Sequence, residues 1–493
     1  MQDERLPEPT PSEAGPSELT PKAFALWIAL VAAVTAIPLL VTPILPFVDY
    51  PNHLARIAIL RDLNGSLGTY FQGNARLLPN LGMDALMLAL SAAMPVERAG
   101  QIAVVLVAVL FVTGFARLHA ILHGARTPWA ATGALAFYTL PLLFGFLNFV
   151  LGVALAMHVL AGWLAIRSGK TRIVYGVLAG FVLLVCHLLG LVFVGLLAPI
   201  LDRVVGRSWR AALGGLLAFV PAALAYVLLS PRPSGGSKID PSTLSLKQIQ
   251  AVTTFVSGHA KTDLLFLALA GLGILAQIVV RRARIRLPLL IPAGLFLILW
   301  LALPFGIGGT ANLDARFPAV VALFALLAVG VGKASPAATK IAFGLLGGLI
   351  LYRAGTLAAA YRREGGEIAA VRTELARLPA DAVVVPIRDE RALVWDAFGW
   401  HPPLVYAAHL ATLEGHYVAG TFDDPTQQPI QLREGWEAIG AYRATTDVPA
   451  ELARLRREVA GLARKPGPVW TFVIEPPAAP REPLRWRLAP LLP

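Results

Sequence analysis

Apolar runs of near eighteen or more residues recur along the first 360 positions, beginning with Ala23–Leu45. Each is long enough to approach or cross a hydrocarbon core of roughly 30 Å. Few folds are open to such a chain. Backbone polar groups in lipid must be satisfied within the segment, so the runs are helices packed into a bundle. Further spans are expected at 79–94, 99–116, 128–145, 146–166, 173–202, 211–229, 262–280, 287–303, 318–334 and 341–358. The fold expected is an α-helical polytopic membrane protein of about 11–13 spans, with a small extracytoplasmic α/β domain at its C-terminal end. A charged content of 15% agrees, since soluble proteins carry about 25%.

The net charge of +12 raises the question of nucleic acid, and its distribution answers it. Residues 361–493 hold 16 basic against 17 acidic side chains, while residues 1–360 hold 26 against 13. The excess sits in short loops between apolar runs, as cytoplasmic loops require. It reports topology, and no nucleic-acid partner is implied. The strongest clusters are Arg281, Arg282, Arg284 and Arg286, then Arg203, Arg207 and Arg210. Arg167, Lys170 and Arg172 also look cytoplasmic, yet only about thirty apolar residues separate them from Arg203. A helix broken at His187-Leu188-Leu189-Gly190 reconciles the charges, with 79–94 dipping in and returning without crossing. A simple eleven-span count is the alternative. Both put the N-terminus inside the cytoplasmic membrane, and Asp49 and the C-terminus outside it.

The single cysteine, Cys186, excludes an internal disulfide. Residues 1–22 are rich in Pro, Glu and Ser and read as a disordered cytoplasmic tail. Residues 23–360 form the membrane domain, with an outer loop at 46–78. After residue 361 the pattern changes to a helix at Glu364–Leu378, a strand at Ala382–Ile387, a helix candidate at Pro403–Leu413 and a strand at Trp470–Ile474. About 130 residues suffice for a domain with its own core.

Four groups of residues carry chemical promise. The first is Asp49, His53 and Arg56, on one stripe of a helix that Pro51 starts. A carboxylate beside an imidazole suits a general base, and an arginine suits a phosphate. Alternatively, Asp49 only caps the helix and Arg56 snorkels. The second group is Asn148 and His187, each at a break between apolar segments. Either marks a site or bonds a neighbouring helix. The third is Asp314 and Arg316, where the arginine clamps a lipid phosphate or merely pairs with Asp314. The fourth is His401, His409, Glu414 and His416, whose spacing matches no compact zinc motif. No metal or cofactor is expected, because no ligand set for a divalent cation stands out.

An inside N-terminus, one span, an outer loop opening on Asp49 in Phe47–Arg56, and an exterior C-terminal domain together resemble the GT-C membrane glycosyltransferases. Many members carry two adjacent acidic residues in this loop, whereas Tyr50 follows Asp49 here. The Asp-Tyr-Pro-Asn-His-Leu-Ala-Arg start also resembles uncharacterised bacterial membrane proteins. The resemblance implies transfer of a sugar from a polyprenyl-phosphate carrier to a glycan, lipid or protein acceptor on the outer side. Asp49 would be the general base, Arg316 and Arg56 the phosphate contacts, and His53 or His187 the orienting groups, with Asn148 and Asp314 lining the site. The rival readings are a transporter or lipid flippase, and a non-enzymatic envelope assembly factor.

Overall fold

The computed structural model describes residues 18–231, 239–255, 260–280, 283–307, 310–331, 336–393, 404–462, 466–476 and 484–491. Most of the expected N-terminal tail, and His401, lie outside them. Helix α1 (Pro21–Leu40) is capped by Thr20 and precedes α2 (Tyr50–Arg61), strand β1 (Phe71–Gly73), α3 (Gly82–Ser91) and α4 (Val96–His123). A 3-10 helix at Pro128–Ala136 and the one-turn α5 (Leu140–Leu143) lead to α6 (Leu147–Ala165), α7 (Gly169–Cys186) and α8 (Leu188–Val204). Then come α9 (Trp209–Gly215), α10 (Val220–Leu229), β2 (Ile239–Asp240), α11 (Leu244–Thr253), α12 (Ala260–Val279), β3 (Ala283–Ile285) and α13 (Leu290–Ala302). The bundle closes with β4 (Gly306–Ile307), α14 (Phe317–Leu327), β5 (Val329–Val331) and α15 (Pro336–Leu375).

The chain is a helical bundle with an apolar exterior. Among the described residues, seven helices are long and apolar enough to cross a membrane: Pro21–Leu40, Val96–His123, Leu147–Ala165, Gly169–Cys186, Trp209–Leu229, Lys261–Val279 and Thr339–Leu375. Leu26, Leu178, Leu217, Leu228, Leu272 and Leu345 on these helices are exposed, as a lipid-facing belt requires. Leu147–Ala165 lies at the centre, almost wholly buried.

Seven is fewer than the eleven to thirteen spans expected, and the difference has identifiable causes. The 128–145 run is apolar but folds as a 3-10 thread, packed on all sides. Its small residues allow this, since a Cβ at Gly133 would lie 2.3 Å from the Phe115 ring. The 318–334 run breaks after the eleven residues of α14 into β5, which pairs with β3. The 79–94 run gives only the ten-residue α3, about 15 Å long, and the 287–303 run only the thirteen-residue α13, about 20 Å long, neither enough to cross. The 173–202 run is two helices, because His187 is extended (φ −170°, ψ 125°) and caps α8 by accepting from the Leu189 amide.

That break turns α7 and α8 into a hairpin whose open ends meet. Asp202 binds Arg172 at 3.0 Å and Arg207 at 2.6 Å, while Arg207 also donates to the Leu164 carbonyl at 3.0 Å. Arg286 donates to the Leu122 and Val204 carbonyls, and Leu19 to that of Arg126. The start of α1 and the ends of α4, α6 and α8 therefore share one end of the bundle with these arginines. At the opposite end lie Asp49, His187, Arg316 and the C-terminal domain.

Helix α15 runs unbroken for 40 residues, about 60 Å, through the bundle and into that domain. There follow β6 (Val383–Asp389), β7 (Tyr417–Val418), β8 (Ile430–Leu432), α16 (Glu437–Gly440), β9 (Arg443–Thr445), α17 (Val448–Gly461), β10 (Val469–Glu475) and β11 (Arg485–Pro490). Strand β6 is central: β10, β7 and β9 all pair with it in parallel, and β11 joins β10 antiparallel. Both expected strands are present. The expected helix at 403–413 is a 3-10 helix at Ala407–Glu414. The outer loop also joins this domain. Phe71 pairs with Leu432 and Gly73 with Ile430, and Ile59, Leu67 and Tyr70 enter its core.

Candidate functional site

Asp49 stands where α2 begins, and two backbone bonds set it there. Val48 and Asp49 donate to the Leu143 and Phe144 carbonyls, each at 3.0 Å. Gly145 makes the close approach possible, with φ +84° and no side chain. A Cβ on it would lie 2.9 Å from both the backbone N and the Cβ of Asp49. Phe47, buried against Tyr50 and Tyr361, anchors the other side.

The carboxylate itself is free. It does not cap α2 through its side chain, and it makes no hydrogen bond or ion pair among the described residues. Helix capping therefore does not account for Asp49. Loss of water pushes its pKa up to about 7, an effect that the cations Arg316 and, less strongly, Arg56 oppose.

His53 and Arg56 are committed elsewhere. Arg56 Nε binds Asp84 at 2.6 Å, Nη1 donates to Gln428 Oε1 at 2.7 Å and Nη2 to His53 Nδ1 at 2.7 Å. With Nδ1 accepting, the neutral imidazole carries its proton on Nε2, which donates to the Gly145 carbonyl at 3.0 Å. Burial drives the His53 pKa down to about 3, with Arg56 adding to the effect, so this neutral tautomer persists. The chain Asp84–Arg56–His53–Gly145 thus braces the backbone beside Asp49. Both expected substrate contacts are positioning residues.

Asn148 and Asp314 are also structural in this arrangement. Asn148 Oδ1 accepts from the Met83 amide at 2.7 Å, tying α6 to the start of α3. Asp314 accepts from Lys247 Nζ at 2.8 Å, Gln250 at 2.9 Å and Ser242 at 2.6 Å. It is not the partner of Arg316. Arg316 sits with its Cζ 4.5 Å from the Phe146 ring centroid, and its buried Nε has no hydrogen-bond partner. Burial lowers its pKa to about 10, and Asp49 holds it up. His187, whose ring meets Phe149 edge-on at 5.6 Å, lies within the field of Arg316. Compared with known proteins, the chain matches no family model, no curated protein and no solved structure. The chemistry must be read from these residues alone.

The C-terminal domain packs over these residues. The Phe422 amide donates to Asn52 Oδ1 at 3.1 Å, and Tyr406, packed 5.4 Å from Phe422, feels the Asp49 charge. His409 packs against Tyr406, whereas His416, also buried, lies near Glu414 and Asp381. No group of three or more potential metal ligands comes together among the described residues.

Sequence reasoning missed Asp84, Gly145, Tyr406 and Gln428. Two of them left a signal: Asp84 is a carboxylate within an apolar run, and Gly145 sits in the break Phe144-Gly145-Phe146. Arg56→Lys should test the brace, because lysine keeps charge but cannot serve Asp84, Gln428 and His53 at once. Removing a partner of a buried ion pair costs about 3–5 kcal/mol. We therefore expect a clear fall in the detergent melting temperature, and Arg56→Gln should fall further. An unchanged melting temperature in both would refute the brace.

Proposed function

We propose that this chain is an integral membrane glycosyltransferase of the GT-C type, moving a sugar from a polyprenyl-phosphate carrier to an extracytoplasmic acceptor. The observation that carries the reading is the uncapped carboxylate of Asp49, half-buried and unpaired among the described residues, within the field of Arg316 at the end of an apolar bundle. A base acting near neutral pH needs a pKa close to 7. Asp49 removes the acceptor hydroxyl proton, and the oxygen attacks the anomeric carbon with inversion. The carrier phosphate leaves with the bonding electrons. Arg316 neutralises it where charge develops, and His187 faces the donor from the α7–α8 turn.

The arginine-rich end belongs in the cytoplasm. Asp49 and the C-terminal domain then face outward in a bacterial cytoplasmic membrane, where lipid-linked sugars and envelope acceptors meet. The transporter reading gains nothing from the bundle interior: Asp263 pairs with Arg353, and Asp314 with Lys247. These pairs hold helices together.

The test combines sidedness with turnover. A tag after residue 360 should be reached by reagents outside the membrane, and one at residue 2 should not. Purified protein given lipid-linked sugars from a host membrane should release polyprenyl phosphate, measured by mass spectrometry. A cytoplasmic C-terminal domain, or no release from any lipid-linked sugar by folded protein, removes the reading.

A further inference from the structure

Arg388 lies on β6, one residue before the end of that strand. Its side chain is fully buried, and its Nε donates to the Val405 carbonyl at 2.8 Å. Nη1 and Nη2 are enclosed as well, and neither has a hydrogen-bond partner. Its Cζ lies 4.7 Å from the ring centroid of Tyr406 and 4.3 Å from that of Tyr442. The adjacent carboxylate, Asp389, is taken by Arg391, whose Nε lies 2.9 Å from Oδ1. A guanidinium cannot shed its proton, so among the described residues this enclosed charge has no counterion.

Its place in the sheet is one where ligands gather. On one edge of β6, β7 pairs with Val383 and Val384, and β9 pairs with Ile387 to Asp389. Where parallel neighbours part beyond the strand ends, open α/β sheets form their binding crevice. Tyr406 links this point to the surroundings of Asp49. It packs on Phe422, which bonds Asn52 in the first turn after Asp49.

We propose that Arg388 is an oxyanion-binding subsite that takes a carboxylate or phosphate group on the acceptor molecule approaching Asp49. The two free nitrogens lie in one plane, the geometry that a two-oxygen edge matches. That the anion belongs to the acceptor rests on the proposed function; binding of the anion does not.

Arg316 also attracts phosphate, so the experiment uses the Arg316→Gln protein. Inorganic phosphate and acetate are titrated separately at constant ionic strength, and the melting temperature is followed. A saturable rise is expected with at least one of them, phosphate alone marking a phosphate group and acetate alone a carboxylate. Adding Arg388→Gln should raise the half-saturating concentration at least about tenfold, as loss of a charge-assisted pair does. Arg388→Lys should weaken binding too, since it keeps charge without the fork. No response to either anion, or an unchanged response in the Arg388 variants, overturns the proposal. Should Arg388→Gln fail to fold, Arg388→Lys and Tyr442→Leu decide in the same way. Binding is read without turnover, so an absence of glycosyl transfer leaves the result standing.

Discussion

Asp49→Asn should fold, insert and lose sugar transfer by about 10²–10⁴ in rate, the contribution of a general base. Asparagine preserves the shape at a position where the carboxylate caps nothing. Asp49→Glu should also be impaired, because misplacing a reacting group by roughly 1 Å can cost about 10²-fold. The sign of the pH dependence is fixed by the raised pKa of about 7. Wild-type activity should rise with pH through about 7, as the carboxylate loses its proton. Stability should move the other way. A folded pKa above the ordinary value of 3.8 gives a contribution present at low pH and lost as pH rises through about 7. Asp49→Asn, which never ionises, should therefore gain in melting temperature over wild type between pH 4 and pH 8. Transfer and melting are compared at matched membrane levels. Full activity in Asp49→Asn sinks the catalytic assignment, and the assembly-factor reading then leads.

Arg316→Ala should cost about 10²–10³ in donor turnover, the scale for removing a group that stabilises developing negative charge. Arg316→Lys should fall between Ala and wild type, because it keeps the charge and loses the planar fork. Asp314 is held by Lys247, Gln250 and Ser242, so an effect at Arg316 is not a lost pair with Asp314. A second readout follows from the charge on Arg316. Arg316 lowers the pKa of Asp49, so the midpoint of the activity–pH profile should move to higher pH in Arg316→Ala. Unchanged turnover and an unmoved midpoint would take Arg316 out of the site.

What could be read from the sequence was local in origin. Alternation and β-branched runs mark Ala382–Ile387 and Trp470–Ile474, and the structure forms β6 and β10 there. His187 interrupts a long apolar run, and the chain turns at that point because an extended residue caps the next helix. Asp49 is out of place beside an apolar span, and its carboxylate is indeed unpaired. What could not be read depends on residues far apart in the chain. The Arg56–Asp84 and Lys247–Asp314 pairs decide which cations are free, and no periodicity encodes them. The 128–144 thread shows the same limit. Its apolar content matches a spanning helix, and only the crowding of Phe115 against Gly133 explains the tighter winding.

Helix α15 makes the outer domain an angular matter. An α-helix turns about 100° and advances about 1.5 Å with each residue. Because α15 continues from the bundle to Leu375, one residue inserted near Glu364 would swing the whole sheet around the bundle's end. Tyr406 would leave Asp49, and β1 would be torn from β8. An insertion of three or four residues would nearly restore the rotation and instead lift the sheet by about a turn's height, roughly 5 Å. Separation and bearing of the two halves are thus geared together, like a key whose bit is cut for one orientation of the lock.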